Sequence, residues 1–305
     1  MQKKIAKVQF IFNKIFILSV RFGLRFLPDG VSRYLGKIGY ANLIKESAKI
    51  NFTANVFGTV YKINCQGNYA VERGAVAKNV PKSDPFFGIS YLKLKDFILI
   101  DVGANIGAYS IGAVGIGANL VYAIEPGPLF TRLCKNIDLN SLGGQIKPIK
   151  QGLADVKGKM RWYEDLNNPG NAHVVSSRDA ISTQNVNTLL SEEYVEVDIT
   201  TLDELVGAQN IQKVDVLKID VEGMEWSVIS GGRKIIERDR PIIVAETRHS
   251  IVDMMQYDCL SPMFQYLNSI GYSSFSFDGS RFRKVIFPNF GHDTFFIPNQ
   301  HGDRK

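Results

Sequence analysis

From Phe97 onward the apolar residues fall into short runs that alternate with helical patterns. Phe97 to Val102, Leu120 to Ile124, Val214 to Ile219 and Pro241 to Ala245 are apolar at most positions, as strands are when a sheet is covered on both faces. Gln145 to Gly152 reads as a further strand. Between these runs, Gly107 to Ile116, Pro128 to Leu139 and Met224 to Ile236 repeat apolar residues three and four apart, which predicts three helices. Strand and helix in alternation predict an α/β fold with a doubly wound, mostly parallel sheet. After Gly152 the pattern changes. Lys159 to Tyr163 and Tyr194 to Ile199 read as extra strands flanking a polar loop, "EDLNNPGNAHVVSSRDA". The tail predicts a helix at Pro262 to Ile270, then strands at Ser273 to Phe277 and Thr294 to Ile297 as a late antiparallel hairpin. Residues 51–96 are less legible, although "FGTVYKINC" alternates like a strand and predicts a small lead-in element.

The first fifty residues are of another kind. They hold ten Lys and Arg against Asp29 and Glu46, so the formal net charge of +6 belongs to this segment and the remainder is slightly acidic. Val8, Ile11, Phe12, Ile15, Leu18 and Phe22 recur at helical spacing among the basic residues. The unbroken apolar run from Ile15 to Val20 is too short to cross a bilayer. Lys14 interrupts any signal-peptide core, and no A-x-A-like cleavage site follows. Two readings stay open for residues 1–30: a helix packed on the body, or a basic amphipathic helix on an anionic membrane surface. The expected division is a basic amphipathic region with lead-in elements at 1–90 and a catalytic domain at 91–305. Cys65, Cys134 and Cys259 form no paired motif, so neither a disulfide framework nor a zinc cluster is expected, and a reducing cytoplasm fits.

The chemistry concentrates in "ILIDVGANIGAYS", Ile98 to Ser110. A buried strand there ends in Asp101, and a turn with Gly103, Asn105 and Gly107 opens a helix, the place where an open parallel sheet binds its ligand. A dinucleotide turn needs G-x-G-x-x-G around an anionic pyrophosphate. Here the middle glycine is missing and an acid precedes the turn. No Gly-Lys-Ser or Gly-Lys-Thr closes it, which excludes a Walker A loop. A cationic ligand without phosphate, such as S-adenosylmethionine, suits Asp101 better. Glu125 ends the next strand, where a carboxylate can accept both ribose hydroxyls. Asp155 follows the third strand, within reach of an adenine amino group.

Taken in order, "LIDVGANIGAYS", "VYAIEPGP", "LCKNIDLN", "GLADVKGKMRWYE", "VDITTLDEL", "LKIDVEGMEWSVISGG" and "PIIVAETRH" resemble the FkbM family of S-adenosylmethionine-dependent methyltransferases, over about residues 95–250. The resemblance implies a Rossmann-like class I methyltransferase fold, S-adenosyl-L-methionine as cofactor, and O-methylation of a hydroxyl on a glycan or secondary metabolite. Expected cofactor contacts are Asp101, Gly103, Ala104, Asn105, Gly107, Tyr109, Ser110, Glu125, Pro126 and Asp155. Because an alcohol is a weak nucleophile, a base is expected to take its proton. Asp220, Glu222, Glu246, His249 and His173 are the candidates, with Glu225 close behind. Lys218, inside a predicted buried strand, is expected to pair with a carboxylate. These acids and histidines form no recognised metal motif, so no metal is expected. A nicotinamide-dependent sugar oxidoreductase and an RNA methyltransferase are the alternatives. The carboxylate-rich turn Asp220-Val221-Glu222-Gly223 is a poor neighbour for phosphates, so the expected partner is a small-molecule or glycan acceptor and not nucleic acid.

Overall fold

The computed structural model describes residues 51–56, 59–64, 83–165, 172–175, 190–247, 258 and 260–299. The basic segment and the expected base His249 lie outside the described residues.

A short hairpin, β1 (Asn51–Val56) and β2 (Thr59–Asn64), supplies the expected lead-in element. Helix α1 (Pro85–Tyr91) follows, capped by Asp84, whose Oδ1 accepts from Phe86 N at 2.9 Å. The main sheet then forms from β3 (Phe97–Val102), β4 (Ala118–Ile124) and β5 (Ile146–Ile149) on one side and β10 (Val216–Ile219) and β11 (Ile242–Glu246) on the other. All five run parallel, in the order β5-β4-β3-β10-β11. The order reverses between β3 and β10, which opens a crevice beyond their carboxyl ends. At the far edge β14 (Asp293–Pro298) pairs antiparallel with β11, and β12 (Tyr272–Phe277) with β14. A third strand, β13 (Phe282–Lys284), extends the expected hairpin.

Both faces of this sheet are covered, which is why its strands are apolar at most positions. Ile100, Val102, Leu217, Ile219, Ile243 and Ala245 pack on one face against α4 (Leu202–Ala208), α5 (Glu225–Ser230), α6 (Arg233–Asp239) and α7 (Leu260–Ser269). Leu99, Val121, Ala123, Val216 and Val244 pack on the other against α1, α2 (Ala108–Gly115) and α3 (Phe130–Leu139).

Three readings of the sequence are corrected. The stretch Gln145 to Gly152 is two strands: β5 stays in the main sheet, and β6 (Gly152–Leu153) joins a second sheet. A Cβ on Gly152 would sit 2.4 Å from Ile199 Cδ1, so the chain turns off where only glycine lets it approach β9 (Leu190–Thr200). Met224 to Ile236 is two helices, not one. Gly231 passes so close to Ala154 that a Cβ would meet its carbonyl oxygen at 2.1 Å, and Asp203 then caps the new helix at Lys234 N and Ile235 N. The polar loop also contains a strand, β8 (Ala172–Val175), paired with β7 (Gly158–Asp165). Thus His173 lies on a strand opposite Tyr163. The second sheet, β6-β9-β7-β8, buries Met160, Trp162, Val197 and Ile199, and Trp162 packs so closely on Gly127 that a Cβ there would touch the ring nitrogen at 2.6 Å.

Candidate active site

Alternate residues of a strand share a face, and this pleat decides which polar side chains meet. Leu99, Val216 and Val244 mark the α2 side of the sheet, so Asp101, Lys218 and Glu246 point the same way. Asp101 and Lys218 are register partners, as are Glu246 and Asp293 on β14. The result is a row of charged groups across the carboxyl edge of four adjacent strands.

Lys218 sits at the centre of that row, buried. Its Nζ lies 3.2 Å from Asp101 Oδ1, 3.4 Å from Asp220 Oδ2 and 4.6 Å from the centre of the Tyr109 ring. Burial by itself would lower its pKa, but the attraction of Asp101 and then Asp220 more than reverses this, so it stays a cation. The fully buried Ser110 donates to Asp101 Oδ2 at 2.6 Å. The Tyr109 hydroxyl donates to both Asp84 oxygens, at 2.9 and 3.0 Å. Burial raises the Asp84 pKa, against the lowering effect of those hydrogen bonds. Tyr109 and Ser110 therefore hold acids in place.

The turn after β3 depends on its glycines. Gly103 has φ 77°, and a Cβ on it would overlap the Asp220 carbonyl oxygen at 1.9 Å. Its N–H and that of Ala104 donate to Ile124 O, tying the turn to β4. Asn105 takes the left-handed region at φ 54°, with its own Oδ1 accepting from Ile106 N, and Gly107 caps α2 at φ 89°. Glu125, nearly buried, accepts from Asn105 N at 3.0 Å and Gly127 N at 2.9 Å, so it joins the two turns. Burial raises its pKa. On the opposite face of the sheet, Gly103, Pro126, Leu153, Met160, Ile199, Val221 and Met224 line an apolar cleft beside these turns.

Asp220, Glu222 and Glu246 converge: one carboxylate oxygen of each lies within 4.8 Å of the others. Glu222 reaches this position from a left-handed backbone at φ 53°. The grouping suits any small cationic centre, whether a divalent ion or a positively charged cofactor. Glu225, fully buried, accepts from Val221 N and Gly223 N and so holds the turn that carries Asp220 and Glu222, and its own pKa is pushed up by burial to about 7. Asp155 is bound to α5, its carboxylate accepting from Ser227 Oγ at 2.7 Å. His249, with Arg248 and Ser250, lies outside the described residues.

Four contributors escape the sequence reading. Asp84 carried a signal, since an acid before Pro85 marks a helix start. Met160 and Ile199 enter the cleft through a second sheet whose position no local pattern reveals. His292 precedes β14 and is carried next to Glu246 by antiparallel pairing, with Nε2 3.7 Å from Glu246 Oε1.

The sequence profile of the methyltransferase FkbM domain matches residues 101–274, which include the turn after Asp101, Lys218, Asp220, Glu222 and Glu246 but not Asp293. The chain belongs to the FkbM methyltransferase family. Its doubly wound, mostly parallel sheet, with β14 antiparallel beside β11, is the Rossmann-like architecture that the sequence predicts. Among curated relatives, the hexuronic acid methyltransferase AglP of Haloferax volcanii is 29% identical over 151 residues, 49% of this chain and 56% of that protein. Methyltransferase 1 of Beauveria bassiana is 27% identical over 147 residues, 45% and 58% of the two chains, and methyltransferase sdnD of Sordaria araneosa is 27% identical over 170 residues, 49% and 65%. The chain thus spans about 56–65% of the length of these relatives. The FkbM methyltransferase structure from Methylobacillus flagellatus KT is 18% identical with a TM-score of 0.46, covering 71% of this chain and 48% of that one. No helix among the described residues is long and apolar enough to cross a membrane.

Proposed function

We propose that this FkbM protein transfers a methyl group from S-adenosylmethionine to a hydroxyl of a sugar or secondary metabolite, with a uronic acid as the first acceptor to try. The observation that carries the reading is the pairing, at one sheet edge, of an apolar cleft with a row of acids that outnumber their one buried cation, Lys218. In this reading the adenine is assigned to the cleft lined by Pro126, Met160 and Met224. Glu125 is assigned to the ribose hydroxyls, and the carboxylates of Asp220, Glu222 and Glu246 would attract a sulfonium and an ammonium group. A nucleoside pyrophosphate would meet repulsion in the same place. The choice of a sugar hydroxyl rests on the hexuronic acid methyltransferase AglP among the relatives. Asp155 is assigned to the adenine amino group only if it exchanges its bond to Ser227.

Calorimetry with S-adenosylmethionine, S-adenosylhomocysteine and NAD tests the cofactor. Binding of the first two, lost in Asp101→Ala and Glu125→Ala, is expected, whereas tight NAD binding alone overturns the reading. Incubation with glucuronic and galacturonic acids, followed by mass spectrometry of glycans from cells with and without the protein, tests the acceptor. The expected signature is about 14 Da per methyl group, the mass of CH2 added when a hydroxyl becomes a methyl ether. On sequence pattern, residues 1–30 are assigned to peripheral contact with an anionic membrane, within a division at residues 90 and 91; cosedimentation with phosphatidylserine vesicles decides the former.

A further inference from the structure

The base candidates that sequence pattern offers are Asp220, Glu222, Glu246, His249 and His173. His292 was not among them, yet it is the described histidine whose ring meets the charged row. It lies just before β14, and two contacts hold its backbone to the end of β11: Thr247 N donates to His292 O at 2.7 Å, and Thr247 Oγ1 donates to Gly291 O at 3.0 Å. Thr247 is itself fully buried and hydrogen-bonded to Thr294 Oγ1 at 2.8 Å, so this anchor is rigid. The two ring nitrogens have different neighbours. Nδ1 is 3.0 Å from Asp293 Oδ2, and Nε2 faces Glu246 Oε1 at 3.7 Å, beyond hydrogen-bond distance. An ionised carboxylate only accepts, so the neutral form of the ring that suits this geometry has its hydrogen on Nδ1 and turns Nε2 toward the carboxylate grouping. The ring is half exposed, as an acceptor needs it to be.

We propose that His292 is the general base of the transfer, with Asp293 as the residue that positions it. This rests on the methyltransferase reading above. The acceptor hydroxyl gives its proton to His292 Nε2 as its oxygen bonds to the methyl carbon. The bond from that carbon to sulfur breaks with its electron pair leaving on sulfur, so a cation and an alcohol become a neutral thioether, an ether and one proton. The imidazolium so formed lies between two carboxylates, Asp293 at Nδ1 and Glu246 near Nε2, which stabilise its charge. Its exposed side then returns the proton to water. Glu246, by contrast, is 2% exposed and is poorly placed to exchange protons with solvent. Asp220 is already engaged by Lys218, whose Nζ lies 3.4 Å from its Oδ2.

Nitrogen-15 NMR of the ring in the full-length protein tests the proposal without any acceptor. The neutral ring is expected as the Nδ1–H form with an unprotonated Nε2, and Asp293→Asn is expected to shift it toward Nε2–H. An Nε2–H ring in the native protein, unmoved by Asp293→Asn, overturns the proposal. With glucuronic acid as acceptor, His292→Ala is expected to lower kcat by about 10²-fold or more while S-adenosylhomocysteine binding stays within about twofold, and added imidazole is expected to restore part of the rate. Undiminished turnover in His292→Ala also overturns it. If the native protein methylates neither uronic acid while the ring has the expected form, the choice of acceptor fails and the assignment of the ring stands.

Discussion

Replacing Lys218 by Met should be among the most damaging single changes in the described sheet, and the reason is electrostatic. At 3.2 and 3.4 Å, the attractions to Asp101 and Asp220 come to about 5 kcal/mol each at an effective dielectric constant near 20. Most of that is offset by the cost of taking a cation and a wholly buried carboxylate out of water. What the variant feels is chiefly the second part. Met fills the space of the Lys stem, so packing changes little, but Asp101 is left at zero exposure with Ser110 as its hydrogen-bond donor among the described residues. Breaking such a pair typically costs about 3–5 kcal/mol, a large share of the roughly 5–15 kcal/mol that holds a domain folded. Urea unfolding at neutral pH, followed by far-ultraviolet circular dichroism, reads this as a fall in midpoint at constant slope. The double variant Asp101→Asn, Lys218→Met should be more stable than Lys218→Met by about 2 kcal/mol, because the orphaned charge is gone while the Ser110 hydrogen bond can persist. A loss below about 1 kcal/mol in Lys218→Met, the scale of a surface pair, would refute the reasoning.

Gly103→Ala should abolish cofactor binding and cost several kcal/mol, since a Cβ must displace the Asp220 carbonyl from 1.9 Å; calorimetry with S-adenosylhomocysteine and thermal unfolding check both. Glu225 provides a pH prediction: its pKa is raised from 4.5 to about 7 in the fold, so the folded state binds more protons than the unfolded state across that window. Stability from this group is present below pH 4.5 and is lost as pH rises through 7, by about 3 kcal/mol. Glu225→Gln keeps an oxygen for Val221 N and Gly223 N and should flatten that slope in unfolding titrations, and an unchanged slope would show that the charge is not the cause. Met160→Asp, placing a carboxylate in the apolar cleft, should weaken S-adenosylhomocysteine binding about tenfold or more while the fold is retained, as read by calorimetry beside circular dichroism.

Much of this fold is written locally. Runs such as Phe97–Val102 are apolar at all positions but one because both faces of the sheet are covered, and the glycine-bounded turn after Asp101 is dictated by the φ values that Gly103 and Gly107 must adopt. What went unread depends on distant approach. Whether Met224 to Ile236 is one helix or two turns on Ala154 pressing against Gly231 and on Asp203 capping the second start, contacts separated by dozens of residues. The split of Gln145 to Gly152 likewise depends on Ile199, and β8 on its pairing with β7.

The sequence by itself determined the alternation of strand and helix, the conformation of the turn at Gly103, and the supply of acids at strand ends, because these follow from nearest neighbours and from a period of two or 3.6 residues. Tertiary structure decided which of those acids meet. Strand order and pleat put Asp101 beside Lys218, and antiparallel pairing brought Asp293, and with it His292, to Glu246 from 47 and 46 residues away, a distance along the chain that no local pattern spans.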